Sequence, residues 1–319
     1  MSNRKIGVLT GIAVVAILAL VISVNVSRVS EEREIVKQES EIAGSSISAG
    51  EKIKVATTFY PLYEFTKNVG GSRVEITTLV PVGIEPHHWE PTPRDIQNLE
   101  TTDIFVYNGA GFEPWIDRIT AKELSNVAAV EIARGIELLQ SEDKRKDPHV
   151  WLDPILAKHQ VNMIKLALTE VDSAHAQYYE ENAASYIAKL DALDARIRAD
   201  LSNCEKDTFV TFHQAFGYFA NRYGLKDVHL VGLDPETEVS PEELRALIDF
   251  ARANDIRVIY AEELVNPRLA EVLAFEVGAQ VLILSPVEGL TDEEVRQGLT
   301  YIEKMEQNVQ NLRVGLDCR

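Results

Sequence analysis

The chain has 319 residues, of which 50 are acidic and 32 basic, so its formal net charge is -18. This charge excludes nucleic acid as the expected partner, because binding to phosphates requires a basic footprint. It is compatible with a cationic ligand, or with an acidic surface that simply keeps an exported protein soluble. The length suits one large domain or two medium ones, and we expect two lobes.

The N-terminal segment, residues 1–30, contains an uncharged and mostly apolar run from Ile6 to Ser27 that follows Arg4 and Lys5. About 20 apolar residues suffice to cross a bilayer, and the preceding positive charges hold the N-terminus in the cytoplasm. We therefore expect the rest of the chain at the extracytoplasmic face of the cell membrane. Ser23-Val24-Asn25 is a poor cleavage site, and no cysteine follows that could accept a lipid, which favours an uncleaved transmembrane anchor. If this signal segment were cleaved, the protein would be secreted or periplasmic.

The remainder of the chain divides by composition and periodicity. Residues 31–51 are rich in Glu, Ser, Lys and Gly, which indicates a flexible stalk. Short apolar strands alternate with helices over residues 52–153 and again over 204–319, a pattern that predicts parallel sheets covered by helices. Residues 154–203 between them are almost continuously helical. The predicted fold class is therefore α/β, with two α/β lobes joined by one long rigid helix.

Three features of this layout can be checked separately. The helical segment is expected to break near Asp172, which can cap a new helix. The C-terminal part is predicted to form one helix from about Glu293 to Leu316. Cys204 and Cys318 are the only cysteines, and an exported compartment permits a disulfide between them. The alternative is two free, buried thiols.

Three of the seven histidines, His87, His149 and His213, stand where a loop is expected to leave a strand. Ligands of open parallel sheets bind at the carboxyl ends of the strands, so these histidines can converge from distant parts of the chain. Prolines beside His87 and His149 limit the freedom of the backbone that presents the imidazoles. Three neutral imidazoles suit Zn, Cu, Fe or Ni rather than Mg or Ca, and zinc fits best. The sequence thus predicts a site for a divalent transition metal.

The segments around these histidines resemble the zinc- and manganese-specific solute-binding proteins of ABC importers, over the span from Lys52 to Leu316. The resemblance implies two lobes with a metal ion between them, and delivery of the metal to a membrane permease powered by a cytoplasmic ATPase. We expect a monomer. The four matching motifs, in order, are Pro86-His87 with Trp89-Glu90-Pro91, Asp147-Pro148-His149-Val150-Trp151-Leu152-Asp153-Pro154, Phe212-His213 with residues 216–225, and Asp234-Pro235-Glu236 before Ser240-Pro241.

The fourth ligand is where this sequence departs from the family pattern. The family commonly has an aspartate after the last strand, and the matching residue here is Ser285. A serine hydroxyl is a poor zinc ligand, so Glu288 is the candidate, with Ser285 or water as alternatives. Glu262 resembles a typical acid of the family and is expected to orient an imidazole from outside the ligand shell. The His-rich loop of zinc-specific members is reduced here to residues 141–146, which leaves manganese or iron as an alternative to zinc.

Two other classes of function would also suit three histidines. A zinc hydrolase needs an open coordination position and a general base, and the chain has no motif such as His-Glu-x-x-His. A receptor for a metal chelate would need a larger pocket lined by aromatic or basic groups. We therefore expect a receptor for the free metal ion and no enzyme activity. His88 is expected to support the site or to be exposed, whereas structural roles are predicted for His159, His175 and His229.

Overall fold

The structure is a computed structural model that describes residues 51–119, 123–141 and 144–319. The predicted membrane anchor of residues 1–30 and almost all of the predicted stalk, residues 31–51, lie outside the described residues. In the described part of the chain, no helix combines the length and the apolar character needed to span a membrane.

The first sheet has four parallel strands in the order β2-β1-β3-β4. Ile53, Val55 and Ala56 of the central strand β1 are buried, as expected for a strand covered on both faces. The strands and helices of this lobe are β1 Ile53–Thr57, α1 Tyr60–Gly70, β2 Val74–Thr78, α2 Pro93–Leu99, β3 Ile104–Tyr107 and β4 Ala128–Glu131.

Two long helices follow, α3 at Pro154–Val171 and α4 at Ala176–Asp200. Asp153 starts α3, because its side chain accepts a hydrogen bond from the N–H of Ile155 and Pro154 occupies the first turn. The chain breaks at Asp172 and passes through a 3-10 turn, Ser173–His175, before α4 begins. The predicted break near Asp172 is therefore confirmed. The 25-residue α4 is the long helix of the fold.

The second sheet repeats the arrangement of the first, with four parallel strands in the order β6-β5-β7-β8. A disulfide joins Cys204, which precedes β5, to Cys318, which follows the last helix. The elements of this lobe are β5 Thr208–His213, α5 Gly217–Tyr223, β6 Lys226–Val231, α6 Pro241–Ala253, β7 Val258–Ala261, α7 Arg268–Val277, β8 Gln280–Ile283, α8 Asp292–Gln297 and α9 Tyr301–Gly315.

The C-terminal helix differs from the prediction. A single helix from Glu293 to Leu316 is wrong, because the chain forms α8 and α9 with a turn between them. Gly298 ends α8 in the left-handed conformation, with φ of 71°, which glycine adopts without steric cost. Thr300 then starts α9 through a capping box with Glu303. The turn brings Leu299 to the first lobe, where its carbonyl accepts a hydrogen bond from the Tyr60 hydroxyl.

A continuous hydrophobic core connects the two lobes. One cluster of buried side chains includes Phe65 of α1, Leu190 of α4 and Tyr301 of α9. Two hydrogen bonds reinforce the junction, from the Trp151 indole N–H to the Pro286 carbonyl (2.8 Å) and from the Tyr301 hydroxyl to the Trp151 carbonyl (2.5 Å). The sheets are thus held together as parts of one packed unit.

Candidate metal centre

The four predicted ligand residues come from segments that follow strands of both sheets. His87 lies in the connection from β2 to α2. His149 follows β4 and directly precedes a 3-10 turn, Val150–Leu152, that leads into α3. His213 is the last residue of β5, and Glu288 follows β8. Both sheets therefore present side chains from the carboxyl ends of their strands, the usual location of a ligand site in parallel sheets.

The structure brings His87, His149, His213 and Glu288 together, with one ligand atom from each lying within 4.8 Å of the other three. The Nε2 atom of His149 is 3.3 Å from that of His87 and 3.2 Å from that of His213. Glu288 Oε1 is 3.3 Å from Nε2 of His87, 3.3 Å from Nε2 of His149 and 3.7 Å from Nε2 of His213. Three imidazole nitrogens and one carboxylate oxygen thus converge on a single point.

Two of the imidazoles are oriented by carboxylates behind them. Asp147 Oδ1 lies 2.8 Å from Nδ1 of His149 and also accepts a hydrogen bond from its backbone N–H. Glu262 Oε1 lies 2.7 Å from Nδ1 of His213 and likewise accepts a hydrogen bond from the His213 backbone N–H. Because each Nδ1–H donates a hydrogen bond to a carboxylate, each Nε2 faces the centre.

Ser285, the expected alternative to Glu288 as fourth ligand, forms hydrogen bonds with neighbouring groups of its own lobe. Its backbone groups pair with the Asn308 side chain, and its hydroxyl accepts a hydrogen bond from the Val287 N–H (3.1 Å). Val287 has a φ of 57°, which is rare for a β-branched residue and turns the chain sharply. This turn places the Glu288 carboxylate, rather than the Ser285 hydroxyl, beside the three imidazoles.

The charges of the site are coupled. Burial would raise the pKa of the Glu288 carboxyl, but the neighbouring His87, His149 and His213 hold that pKa well below its ordinary value. Burial opposes a charged His213, yet the Glu262 carboxylate raises the pKa of His213 well above its ordinary value. The pKa of His149 is also raised, since hydrogen bonds to acidic neighbours outweigh its burial, whereas burial lowers the pKa of His87.

A buried polar network supports the segment before His149, and the sequence reasoning missed it. Glu113 accepts hydrogen bonds from the Thr58 hydroxyl (2.7 Å) and from the N–H of Asn108 (2.9 Å). The Asn108 amide donates to the carbonyl of Pro148, the residue before His149 (3.0 Å). Burial raises the pKa of Glu113 to about 7 despite these hydrogen bonds. The available signal was that Asn108 directly follows β3 and Glu113 lies in the loop after it, at the same edge of the sheet as the histidines.

The remaining histidines lie outside the cluster. His88 is half exposed, and its Nε2 lies 2.8 Å from Asp234 Oδ1. His159 of α3 contacts the Arg134 carbonyl through Nε2, and His175 contacts Asp172 through Nδ1. His229 lies within β6. None of these four joins the group of His87, His149, His213 and Glu288 within the described residues.

Residues 55–315 match the model of the ZnuA family, described as zinc-uptake complex component A, periplasmic. The chain belongs to this family. Its predicted membership among the metal-specific solute-binding receptors is thereby confirmed. One relative is the high-affinity zinc uptake system protein ZnuA of Bacillus subtilis, which is 40% identical over 293 residues, or 87% of this chain and 92% of the relative.

Solved structures of relatives have the same fold. The metal-dependent lipoprotein YcdH from Bacillus subtilis is 41% identical, with a TM-score of 0.75 over 83% of this chain and 99% of that one. Zn(II)-bound AdcA from Streptococcus pneumoniae is 36% identical, with a TM-score of 0.76 over 83% of this chain and 58% of AdcA. This chain therefore spans little more than half of the length of AdcA. The predicted fold class, two α/β lobes with parallel sheets and a long helix, is confirmed.

Proposed function

We propose that this ZnuA-family chain is an extracytoplasmic receptor that captures one zinc ion through His87, His149, His213 and Glu288. It then delivers the metal to an ABC permease and its ATPase. The observation that carries the proposal is the convergence of three imidazole nitrogens and a carboxylate oxygen within 4.8 Å. Membership in a family of zinc-uptake receptors supports the same function.

The spacing of the ligand atoms supports zinc as the cargo. Zinc binds nitrogen and oxygen ligands at about 2.0–2.1 Å, so tetrahedral ligands lie about 3.3–3.4 Å apart. Five of the six distances between the ligand atoms, at 3.2–3.7 Å, lie close to that value, and all six are within 4.8 Å. A set of three nitrogens and one oxygen favours zinc over manganese, which prefers oxygen ligands. A Zn(II)-bound structure is known for the relative AdcA.

The electrostatics of the site also favour a divalent cation. The side chains of Asp147, Glu262 and Glu288 are 2%, 3% and 3% exposed, and all three contact the imidazole cluster. Buried negative charge is costly unless a cation or hydrogen-bond donors compensate it. Histidine protons can supply part of this compensation, and a zinc ion supplies two charges at one point. The cluster is therefore suited to a divalent cation.

A receptor for free zinc fits this site better than a hydrolase or a receptor for a chelate. Catalytic zinc sites keep one position open for water, whereas four protein side chains would fill a tetrahedral shell here. His149 and His213 are completely buried, and the ligand atoms are too close together to enclose a siderophore-sized molecule. The site would therefore hold a bare ion.

For the whole protein we propose a monomeric receptor tethered to the membrane. The proposed segments are an N-terminal anchor at residues 1–30, a stalk at 31–51, a first lobe at 52–153, a helical segment at 154–203 and a second lobe at 204–319.

Zinc uptake tests the function directly. Titration calorimetry on the metal-free protein is expected to show one zinc ion bound with a Kd below about 1 μM. Zinc should also displace manganese in competition. An absence of zinc uptake at micromolar concentration would refute the proposal, and a preference for manganese would refute the choice of metal.

Zinc binding is expected to release protons. The raised pKa values of His213 and His149 mean that these imidazoles hold protons at a pH where free histidine has lost them. Zinc requires neutral imidazoles, so its affinity should fall as the pH is lowered and protons compete for Nε2. Calorimetry at pH 7 in two buffers of different ionisation enthalpy should report about one proton or more released per zinc ion. Equal heats in the two buffers would contradict this.

The orienting role of Glu262 can be tested with a conservative change. Glu262→Gln removes the charge that holds Nδ1 of His213, and loss of such a partner typically lowers metal affinity about 10- to 100-fold. Glu276→Gln, which alters an exposed acid of α7, should bind zinc like the wild type. Wild-type affinity in Glu262→Gln would show that Glu262 does not position His213.

A further inference from the structure

The His87 loop, defined as residues 81–91, belongs to the first lobe but is fastened to the second. The Gly83 N–H donates a hydrogen bond to the Leu290 carbonyl (3.0 Å), just past Glu288. On the other side of His87, Nε2 of His88 lies 2.8 Å from Oδ1 of Asp234. The loop is therefore tied to the opposite lobe at one point before His87 and one point after it.

His87 is held less firmly than the other two imidazoles of the centre. His149 and His213 each have a carboxylate behind Nδ1, but Nδ1 of His87 has no hydrogen-bond partner among the described residues. The local restraints on His87 are its backbone N–H, bonded to the Glu85 carboxylate, and edge-on packing against the Phe112 ring, with centroids 4.9 Å apart. The orientation of this imidazole thus depends on where the loop backbone lies.

His87 also stands on the side of the centre that reaches solvent. Its side chain is 11% exposed, whereas those of His149 and His213 are 0% exposed and that of Glu288 is 3% exposed. Of the four ligand side chains, that of His87 is therefore the most exposed to solvent. Movement of the His87 loop would withdraw one ligand and uncover the other three.

The contact between His88 and Asp234 is suited to restrain movement of the His87 loop. Asp234 Oδ1 also accepts a hydrogen bond from the Glu236 N–H (2.9 Å). This bond fixes the orientation of the carboxylate that contacts His88. The Glu236 carboxylate lies 3.8 Å from His88 Nε2 and adds a second negative charge. An exposed pair of this kind contributes little to overall stability. Because it joins two lobes beside a ligand, a small contribution can still change the rate at which the loop opens.

We propose that His88 and Asp234 are positioning residues that latch the His87 loop onto the second lobe and slow the exchange of metal at the centre. The latch rests on the proposed zinc function, because it acts through His87. Opening it releases the loop on the C-terminal side of His87, while Asp147 and Glu262 keep the other two imidazoles in place.

The test compares the rate of zinc release with zinc affinity in the full chain. Zinc-loaded protein is mixed with an excess of chromophoric chelator, and release is followed by stopped flow. His88→Ala and Asp234→Ala should each speed release about three- to fivefold, which corresponds to the upper range for an exposed pair. The double variant should release zinc no faster than the single variants, because both changes break one contact.

A matched control breaks an exposed pair at the end of the same loop. Glu90 and Arg118 lie 2.7 Å apart, are both about 60% exposed and both belong to the first lobe. Glu90→Ala should leave the release rate unchanged. The midpoint of thermal unfolding of the metal-free protein should also stay unchanged in His88→Ala, which separates a latch from a general loss of stability.

Each outcome decides between the latch and its alternatives. Wild-type release rates in His88→Ala, or additive effects in the double variant, would overturn the latch while leaving zinc binding intact. Loss of the zinc stoichiometry in His88→Ala would make His88 a ligand and would overturn it as well. A wild-type protein that takes up no zinc would instead refute the proposed function.

Discussion

His149→Ala is expected to weaken zinc binding roughly a hundredfold to a thousandfold. Zinc at structural sites of small domains is bound with about 10–16 kcal/mol in total, so one ligand of four accounts for about 2.5–4 kcal/mol. His149 is completely buried and contacts both neighbouring imidazoles as well as Glu288, so its removal deprives the centre of a ligand in the middle of the cluster. Competition against a chelator of known affinity would measure the loss.

The control for His149→Ala is His159→Ala, which removes an imidazole of α3 that contacts the Arg134 carbonyl outside the centre. His159→Ala should bind zinc with wild-type affinity. Because His149→Ala also leaves the Asp147 carboxylate without its imidazole partner, circular dichroism of the metal-free variant must show that it is folded. A folded His149→Ala variant with wild-type affinity would remove His149 from the ligand set.

Replacement of both cysteines by serine is expected to lower the free energy of unfolding by about 4 kcal/mol. The disulfide joins residues 114 positions apart, and restriction of the unfolded chain by a loop of about 100 residues is worth about 4–5 kcal/mol. Cys204 precedes β5, whereas His213 ends it, so the bridge lies at the opposite end of this strand from the centre. Urea unfolding of the metal-free double variant should show the loss, with zinc stoichiometry unchanged.

The wild-type protein unfolded with and without reductant serves as the control for the serine variant. Reduction should lower the midpoint of unfolding by the same amount as the two substitutions, since both abolish the same cross-link. A loss below about 1 kcal/mol in the double variant would mean that the bridge does not restrict the unfolded chain as expected.

The order of strands and helices could be predicted because the local sequence patterns agree with the packing of the folded chain. Buried apolar runs such as Ile53–Thr57 alternate with helices that have recognisable starts, and this pattern permits few arrangements other than a covered parallel sheet. The two C-terminal helices were predicted as one although the signal for a break was present. Thr300 and Glu303 have the spacing of a capping box, and Gly298 precedes them. The residues on both sides favour helix, so neither the capping box nor the glycine was recognised as a helix boundary.

The three histidines of the centre could be predicted from their positions after strands and from the family motifs. The structure brings Glu288 to them, but the sequence left Glu288, Ser285 and water as alternatives. The reason is the left-handed backbone at Val287, a conformation that a β-branched residue does not signal. The support of Pro148 by Asn108 was invisible for a different reason, since its partners lie 40 residues apart and meet only in the folded chain.

One hydrophobic core runs without interruption from the first lobe through α4 into the second. This core limits how the shape of the receptor can change when metal binds. A hinge requires a plane across which few packed side chains meet, and here large side chains such as Trp151 and Tyr301 fill that plane. The lobes should therefore travel as a single rigid body, with nearly the same radius of gyration in the loaded and the empty protein. A transport partner would then have to recognise the metal-loaded protein from the positions of a few side chains around one loop, rather than from closure of the two lobes.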